Sequence, residues 1–154
     1  MPNAYENSLA LERFLYESNR IDDIYQVTPD EIATGLKFLA SEPPDIALLQ
    51  QYVRAARGNA ELREWAHMAS ADRHNYPDSG PMIHRAVSLI LEKARNNAAG
   101  AFELHREFMR LSPFESGNGQ AGRLLWLYQV RRHYGGMRAS FLHGFYTQAL
   151  ANGE

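Results

Sequence analysis

The sequence predicts an all-α protein, with a small β-hairpin as its one departure. Three observations carry that expectation. Apolar residues recur at helical spacing along most of the chain, helix start and stop signals bracket those runs, and no alternating run is long enough for a confident strand.

At the N-terminal end, Leu9, Leu11, Phe14, Leu15 and Ser18 share a helical spacing and predict a first helix over about 7–20. Thr28-Pro29-Asp30-Glu31 is a stronger start signal: a capping hydroxyl, a proline at the first helical position and a glutamate at the third. That helix is expected to run to about Ala40, before the break at Pro43-Pro44. Ile46, Leu48, Leu49, Tyr52, Val53 and Ala56 make a third amphipathic helix, stopped at Gly58-Asn59. Residues 66–81 lose the periodicity and hold Pro77, Gly80 and Pro81, which predicts a loop or short hairpin. Helices are then expected over Met82–Arg95, Ala98–Leu111, Gly119–Tyr134 and Arg138–Leu150, with loops at Asn96-Asn97, Ser112–Asn118 and Gly135-Gly136. There is no internal repeat, linker or low-complexity tract, so residues 1–154 read as one domain.

Composition narrows the function classes. A chain of 154 residues with 45% apolar residues and seventeen aromatics can bury a real core. Without cysteine it has no disulfide, no thiol nucleophile and no Cys-based zinc site. No apolar run approaches the roughly 18 residues of a membrane span, and the start MPNAYENSLALERF is not a secretory leader. A soluble, cytoplasmic protein with no membrane partner is therefore expected. The net charge of −2 argues against bulk electrostatic binding of nucleic acid. That charge is uneven: residues 1–31 carry −5 and the remainder +3. An acidic first element could dock on a basic body, or simply be a solvated acidic helix.

The chemistry concentrates in Ser112-Pro113-Phe114-Glu115-Ser116-Gly117-Asn118-Gly119-Gln120-Ala121-Gly122-Arg123. Here a loop turns into a helix between two glycines. Free amides at a helix start, together with the helix dipole, favour an anion, and glycines let it approach closely. Arg123 lies four residues after Gly119 and can reach back to the same place with its planar fork. On spacing alone, an ordinary tight turn with a surface arginine beyond it is the simpler reading.

This segment resembles the signature of the Fic (Fido) family: His-Pro-Phe, two residues, Gly-Asn-Gly-Arg, two residues, Arg. Pro113, Phe114, Gly117, Asn118, Gly119 and Arg123 match in register. The preceding Leu104-His105 pair and Phe108 resemble the helix before that motif, and the run Arg123-Leu124-Leu125 resembles the stretch just after it. The resemblance implies an all-α core with a β-hairpin flap over 66–81, which would hold a target peptide by strand addition. It also implies transfer from ATP or another nucleotide onto a protein hydroxyl. The family's histidine is the base, an acidic residue two places after the phenylalanine holds Mg²⁺, and the Gly-Asn-Gly turn and arginines cradle phosphates.

The departures fall on the reacting groups. Ser112 stands at the histidine position, and its hydroxyl is no base near neutral pH. Ser116 stands at the metal position, where it is a poor Mg²⁺ ligand. Gln120 replaces the first arginine. Glu115 could be a displaced metal ligand, but on an exposed loop it is more simply solvated. His105 lies two turns before Ser112, about 10 Å away along the helix, and reads as structural. His67, His74 and His84 read as surface or packing residues, and none of these pairs has a persuasive zinc spacing. Standard adenylylation is therefore not expected.

A second likeness lies in the acidic start. Ser18-Asn19-Arg20-Ile21-Asp22-Asp23 resembles the family's inhibitory helix, (Ser/Thr)-x-x-x-Glu-(Gly/Asn), with Asp22 for glutamate and Asp23 for Gly/Asn. That resemblance implies that residues 1–25 form a regulatory helix marked by Ser18 and Asp22, in which the Asp22 carboxylate pairs with Arg123 and competes with an anion for the guanidinium. Three functions are compatible with these residues. The first is a degenerate Fic-like protein keeping a nucleotide, phosphate or partner site at Gly117, Asn118, Gly119 and Arg123. The second is an enzyme of altered chemistry acting on a protein target, and the third is a bare scaffold in which Trp65, Trp126 and Tyr128 are merely core.

Overall fold

The computed structural model describes residues 4–63 and 80–134. They form six helices: α1 (Ala4–Ile21), α2 (Pro29–Ala40), α3 (Ile46–Arg57), α4 (Gly80–Asn96), α5 (Ala101–Leu111) and α6 (Asn118–Tyr134). The all-α class is what the periodicity predicts. The flap expected over 66–81 falls largely outside the described residues, as does the helix expected over 138–150. Among the described residues, β pairing is limited to one antiparallel bridge, Leu62–Phe114.

The local signals work as their chemistry requires. Glu31 donates its amide to the Thr28 hydroxyl (3.2 Å) and accepts the Thr28 amide on its carboxylate (2.7 Å), a reciprocal cap for α2. Asp45 caps α3 by accepting the Ala47 amide at 2.8 Å, and Gly58 closes it in the left-handed region at φ +82°. Two boundaries are corrected: α5 starts at Ala101 rather than Ala98, and α4 starts before Met82. Gly80 and Pro81, expected in the loop, begin α4. Proline lacks an amide that the first helical turn leaves unpaired in any case, so it starts a helix as readily as it breaks one.

Helix α6 is the axis of the molecule. It packs against α1, α2, α3, α4 and α5. All residues from Gln120 to Gln129 are buried, as expected of a helix apolar around most of its circumference. Trp126 stacks on Phe14 at 6.2 Å and tilts against Phe102 at 5.5 Å, so it and Tyr128 are core residues. Trp65 lies outside the described residues. Gly35 lets α2 approach the rest of the core: a β-carbon there would sit 3.1 Å from Leu11 Cδ2.

The candidate anion site at the start of α6

The loop between α5 and α6 is held by backbone and arginine. Helix α5 ends at Ser112, which sits in the left-handed region at φ +45°. The Ser112 hydroxyl donates to the Met109 carbonyl (2.6 Å), so it is spent on the last turn of α5. Arg63, 2% exposed, donates from Nε to the Ser112 carbonyl (2.9 Å) and from Nη2 to the Leu111 carbonyl (3.0 Å). Its amide donates to the Pro113 carbonyl at 2.9 Å. A cation on the carbonyl end of a helix satisfies orphan acceptors and opposes the dipole together. No sequence signal points to Arg63, which sits in a stretch without periodicity.

Asn118 then closes the loop. Its side-chain amide accepts the Phe114 amide (2.9 Å) and donates to the Phe114 carbonyl (2.8 Å). The side chain is thereby committed to shaping the turn. Gly117 needs to be glycine twice over: its φ is +83°, and a β-carbon would stand 2.9 Å from Arg57 Cγ and 3.2 Å from Val53 Cγ1. The first bond inside α6 runs from the Ala121 amide to the Gly117 carbonyl at 2.9 Å. The amides of residues 118–120 precede it and have no acceptor within the helix. Glu115 is exposed on the loop, and Ser116 is half-buried.

Arg123 is not the surface residue that spacing alone also allowed. It is 3% exposed and folds back over the first turn of its own helix. A β-carbon on Gly119 would lie 3.1 Å from Nη1 and 3.2 Å from Nη2, so glycine makes room for the guanidinium. Nε donates to the Ser18 hydroxyl at 2.6 Å, and Nη2 pairs with the Asp22 carboxylate. The structure thus brings Ser18, Asp22 and Arg123 together across more than a hundred residues of sequence. Two neutral amides reinforce the seam. Gln120 donates to Asn19 Oδ1 (2.7 Å), and Asn19 donates to Glu31 Oε1 (3.0 Å) and the Gln26 carbonyl (2.9 Å). Asn19, Gln120 and Glu31 are all buried.

Two further buried groups shape the electrostatics. Burial pushes the Tyr52 hydroxyl well above its ordinary value, with the nearby Glu31 and Asp22 carboxylates adding to the effect and Arg123 opposing it. Burial also pushes His105 down to about 4. Arg123 adds to that, and a hydrogen bond with the Gly122 backbone opposes it. His105 packs on Gly122, where a β-carbon would meet its ring at 2.9 Å. It is a neutral packing residue, as expected. His84 is exposed, and His67 and His74 lie outside the described residues. Among the described residues, no group of three or more His, Asp or Glu side chains is placed to hold a metal ion, and no helix is long and apolar enough to cross a membrane. In comparisons with known proteins, the sequence matches no family model or curated protein, and the fold matches no solved structure.

Proposed function

We propose that the turn from Gly117 to Arg123 is a phosphate-sized anion site in a degenerate Fic-like protein, and that α1 occupies its arginine. The observation carrying this reading is the setting of Arg123: a nearly buried guanidinium, folded over Gly119, that pairs with a carboxylate from another helix. An arginine fork that takes a carboxylate takes a phosphate by the same geometry. The α6 amides beside it add donors and a favourable dipole. The anion in view is a phosphate of ATP or another nucleotide. With Ser112, Ser116 and Gln120 at the three reactive positions, the reading assigns no general base and no Mg²⁺ ligand, and standard nucleotidyl transfer is not part of it.

Calorimetry with ATP, with and without Mg²⁺, tests the reading. Asp22→Ala should bind more tightly than the unaltered chain, and Arg123→Ala should abolish binding. No binding by either the unaltered chain or Asp22→Ala would remove the anion site. Labelled-nucleotide transfer to lysate proteins tests the inactivity. A signal abolished by Arg123→Ala would favour the active alternative. Joint repair of Ser112→His, Ser116→Asp and Gln120→Arg should raise transfer above background, and a repaired protein without activity would count against the degenerate-site account.

A scaffold role is the second reading, favoured by the buried chain of amides from Gln120 through Asn19 to Glu31. Such a network holds α1 in place independently of Arg123. On that reading Asp22→Ala loses stability and gains no ligand.

A further inference from the structure

Four large apolar or aromatic side chains stand exposed among the described residues: Tyr16, Tyr25, Met82 and Leu89. Two of them share one place, the end of α1. Tyr16 is 43% exposed and Tyr25 64% exposed. Arg20 lies between them, its guanidinium carbon 5.8 Å from one ring centre and 6.0 Å from the other. The chain reverses there by a firm turn. Asp23 takes the left-handed region at φ +62°, its amide donates to the Arg20 carbonyl (3.1 Å), and the Ile24 amide donates to the Asn19 carbonyl (2.9 Å). This is a Schellman closure with aspartate where glycine is usual. The Tyr25 hydroxyl donates to Asp23 Oδ1 at 3.4 Å, which ties the second ring to the turn.

We propose that this Tyr16–Arg20–Tyr25 stack is a docking surface for a basic segment of a partner protein. The ring pair is held in place before any partner arrives, and exposed Tyr and Arg are the residue types that dominate interface energetics. The charge selects the partner. Asp22 is committed to Arg123, but Asp23 stands exposed at the carbonyl end of α1, where the helix dipole favours a cation. Arg20 shows that these rings accept a guanidinium, and both remain substantially exposed for an incoming arginine or lysine. The −5 carried by residues 1–31 would draw such a segment in from a distance. A second copy of this chain is the less suitable occupant. Two copies would bring two acidic α1 ends together unless a basic patch elsewhere on the chain met each of them, and concentration-dependent self-association without peptide would show that case.

This surface adjoins the anion site through Asp22, but it is read by peptide binding rather than nucleotide binding, so failure of either reading is distinguishable from failure of the other. The probe is a twelve-residue Arg/Gly/Ser peptide, titrated into the ¹⁵N-labelled full chain, with the Glu/Gly/Ser peptide as control. Amide shifts should concentrate on residues 16–25 with the basic peptide alone. Affinity should fall at least tenfold in the Tyr16→Ala/Tyr25→Ala double variant and several-fold in Asp23→Asn. The Tyr16→Phe/Tyr25→Phe pair keeps the ring faces and should bind nearly as the unaltered chain does. Both ring positions are exposed, so the variants should keep the unaltered circular dichroism. No binding, shifts scattered over the surface, or equal affinity in the alanine pair would overturn the proposal.

Discussion

Helix α6 carries an arginine–carboxylate pair near each end, and the two differ in nearly everything except chemistry. Near its start Arg123 is 3% exposed and pairs with Asp22, with Ser18 and the Asn19–Gln120 amides beside it. Near its end Arg132 is 33% exposed and pairs with Glu42, itself 51% exposed and shared with Arg95. Water and salt surround the second pair and weaken it. In the first only the arginine is shielded, Asp22 being 36% exposed, and losing Asp22 would take a charged acceptor from a guanidinium that water scarcely reaches. The position of a pair, not its residue types, therefore sets its weight. On that ground the start of α6 is the end at which sequence changes are felt.

The largest expected effect comes from His105, packed beneath the buried end. The ordinary histidine value is 6.5, and burial lowers it to about 4 in the folded chain. The unfolded chain therefore binds a proton that the folded chain refuses. Stability is full above pH 6.5 and falls as pH drops toward 4. Each pH unit of that gap carries about 1.4 kcal/mol, so roughly 3 kcal/mol should disappear across the window. Urea melts at steps between about pH 7 and 4 measure it. A His105→Gln variant should lose most of the slope above about pH 5, and an unchanged slope would assign the acid loss to other groups.

Next in size is Asp22→Ala. Hydrogen bonds to charged groups contribute roughly 1.5–3 kcal/mol, so a loss of about 2 kcal/mol is expected. Because the guanidinium is buried although Asp22 is 36% exposed, that loss should be less sensitive to salt than that of the Arg132–Glu42 pair. Gly117→Ala ranks third. A side chain in the left-handed region costs roughly 1–2 kcal/mol, and here the added carbon also presses on Arg57 and Val53. Denaturation midpoints read both. A Gly117→Ala protein as stable as the parent would mean the loop at the start of α6 yields more easily than its contacts suggest.

How much of this was legible depends on the kind of interaction. Helices α1 to α6 came through apolar spacing and caps, since both are written within a few residues of one another. Thr28 and Glu31 announce their cap because its partners lie three residues apart. The pairing of Asp22 with Arg123 was legible through a resemblance of motifs, not through any local rule, whereas the Ser18 hydroxyl on the same guanidinium came only from the fold. Arg63 and the chain from Gln120 through Asn19 to Glu31 were not legible. Arg63 reaches carbonyls nearly fifty residues away, and Gln120 reaches an amide 101 residues away. Neutral amides leave no trace in charge or periodicity, so only the fold reveals that they meet. The start of α4 was misplaced for a different reason. Glycine and proline mark loops and first turns alike, and the sequence around Gly80 does not separate the two.

The smallest effect sharpens the comparison from the exposed end. The hydrogen bond from Arg132 holds the Glu42 carboxyl below its ordinary value, against the effect of desolvation, and Arg95 adds to the lowering. What Glu42 contributes is therefore present above the ordinary carboxylate range and is lost as pH falls through its lowered folded value. That window opens near the ordinary value of 4.5, as the His105 window is closing, so the two ends of α6 weigh most in different parts of a pH series. Glu42→Ala should change the midpoint less than any variant above, and added salt should erase the difference. The measurement is a pair of urea melts in low and high salt for Glu42→Ala and for Asp22→Ala. If salt shrinks the two effects alike, burial is not what distinguishes the pairs. If the effect of Asp22→Ala persists while that of Glu42→Ala vanishes, the seam between α1 and the start of α6 behaves as part of the core.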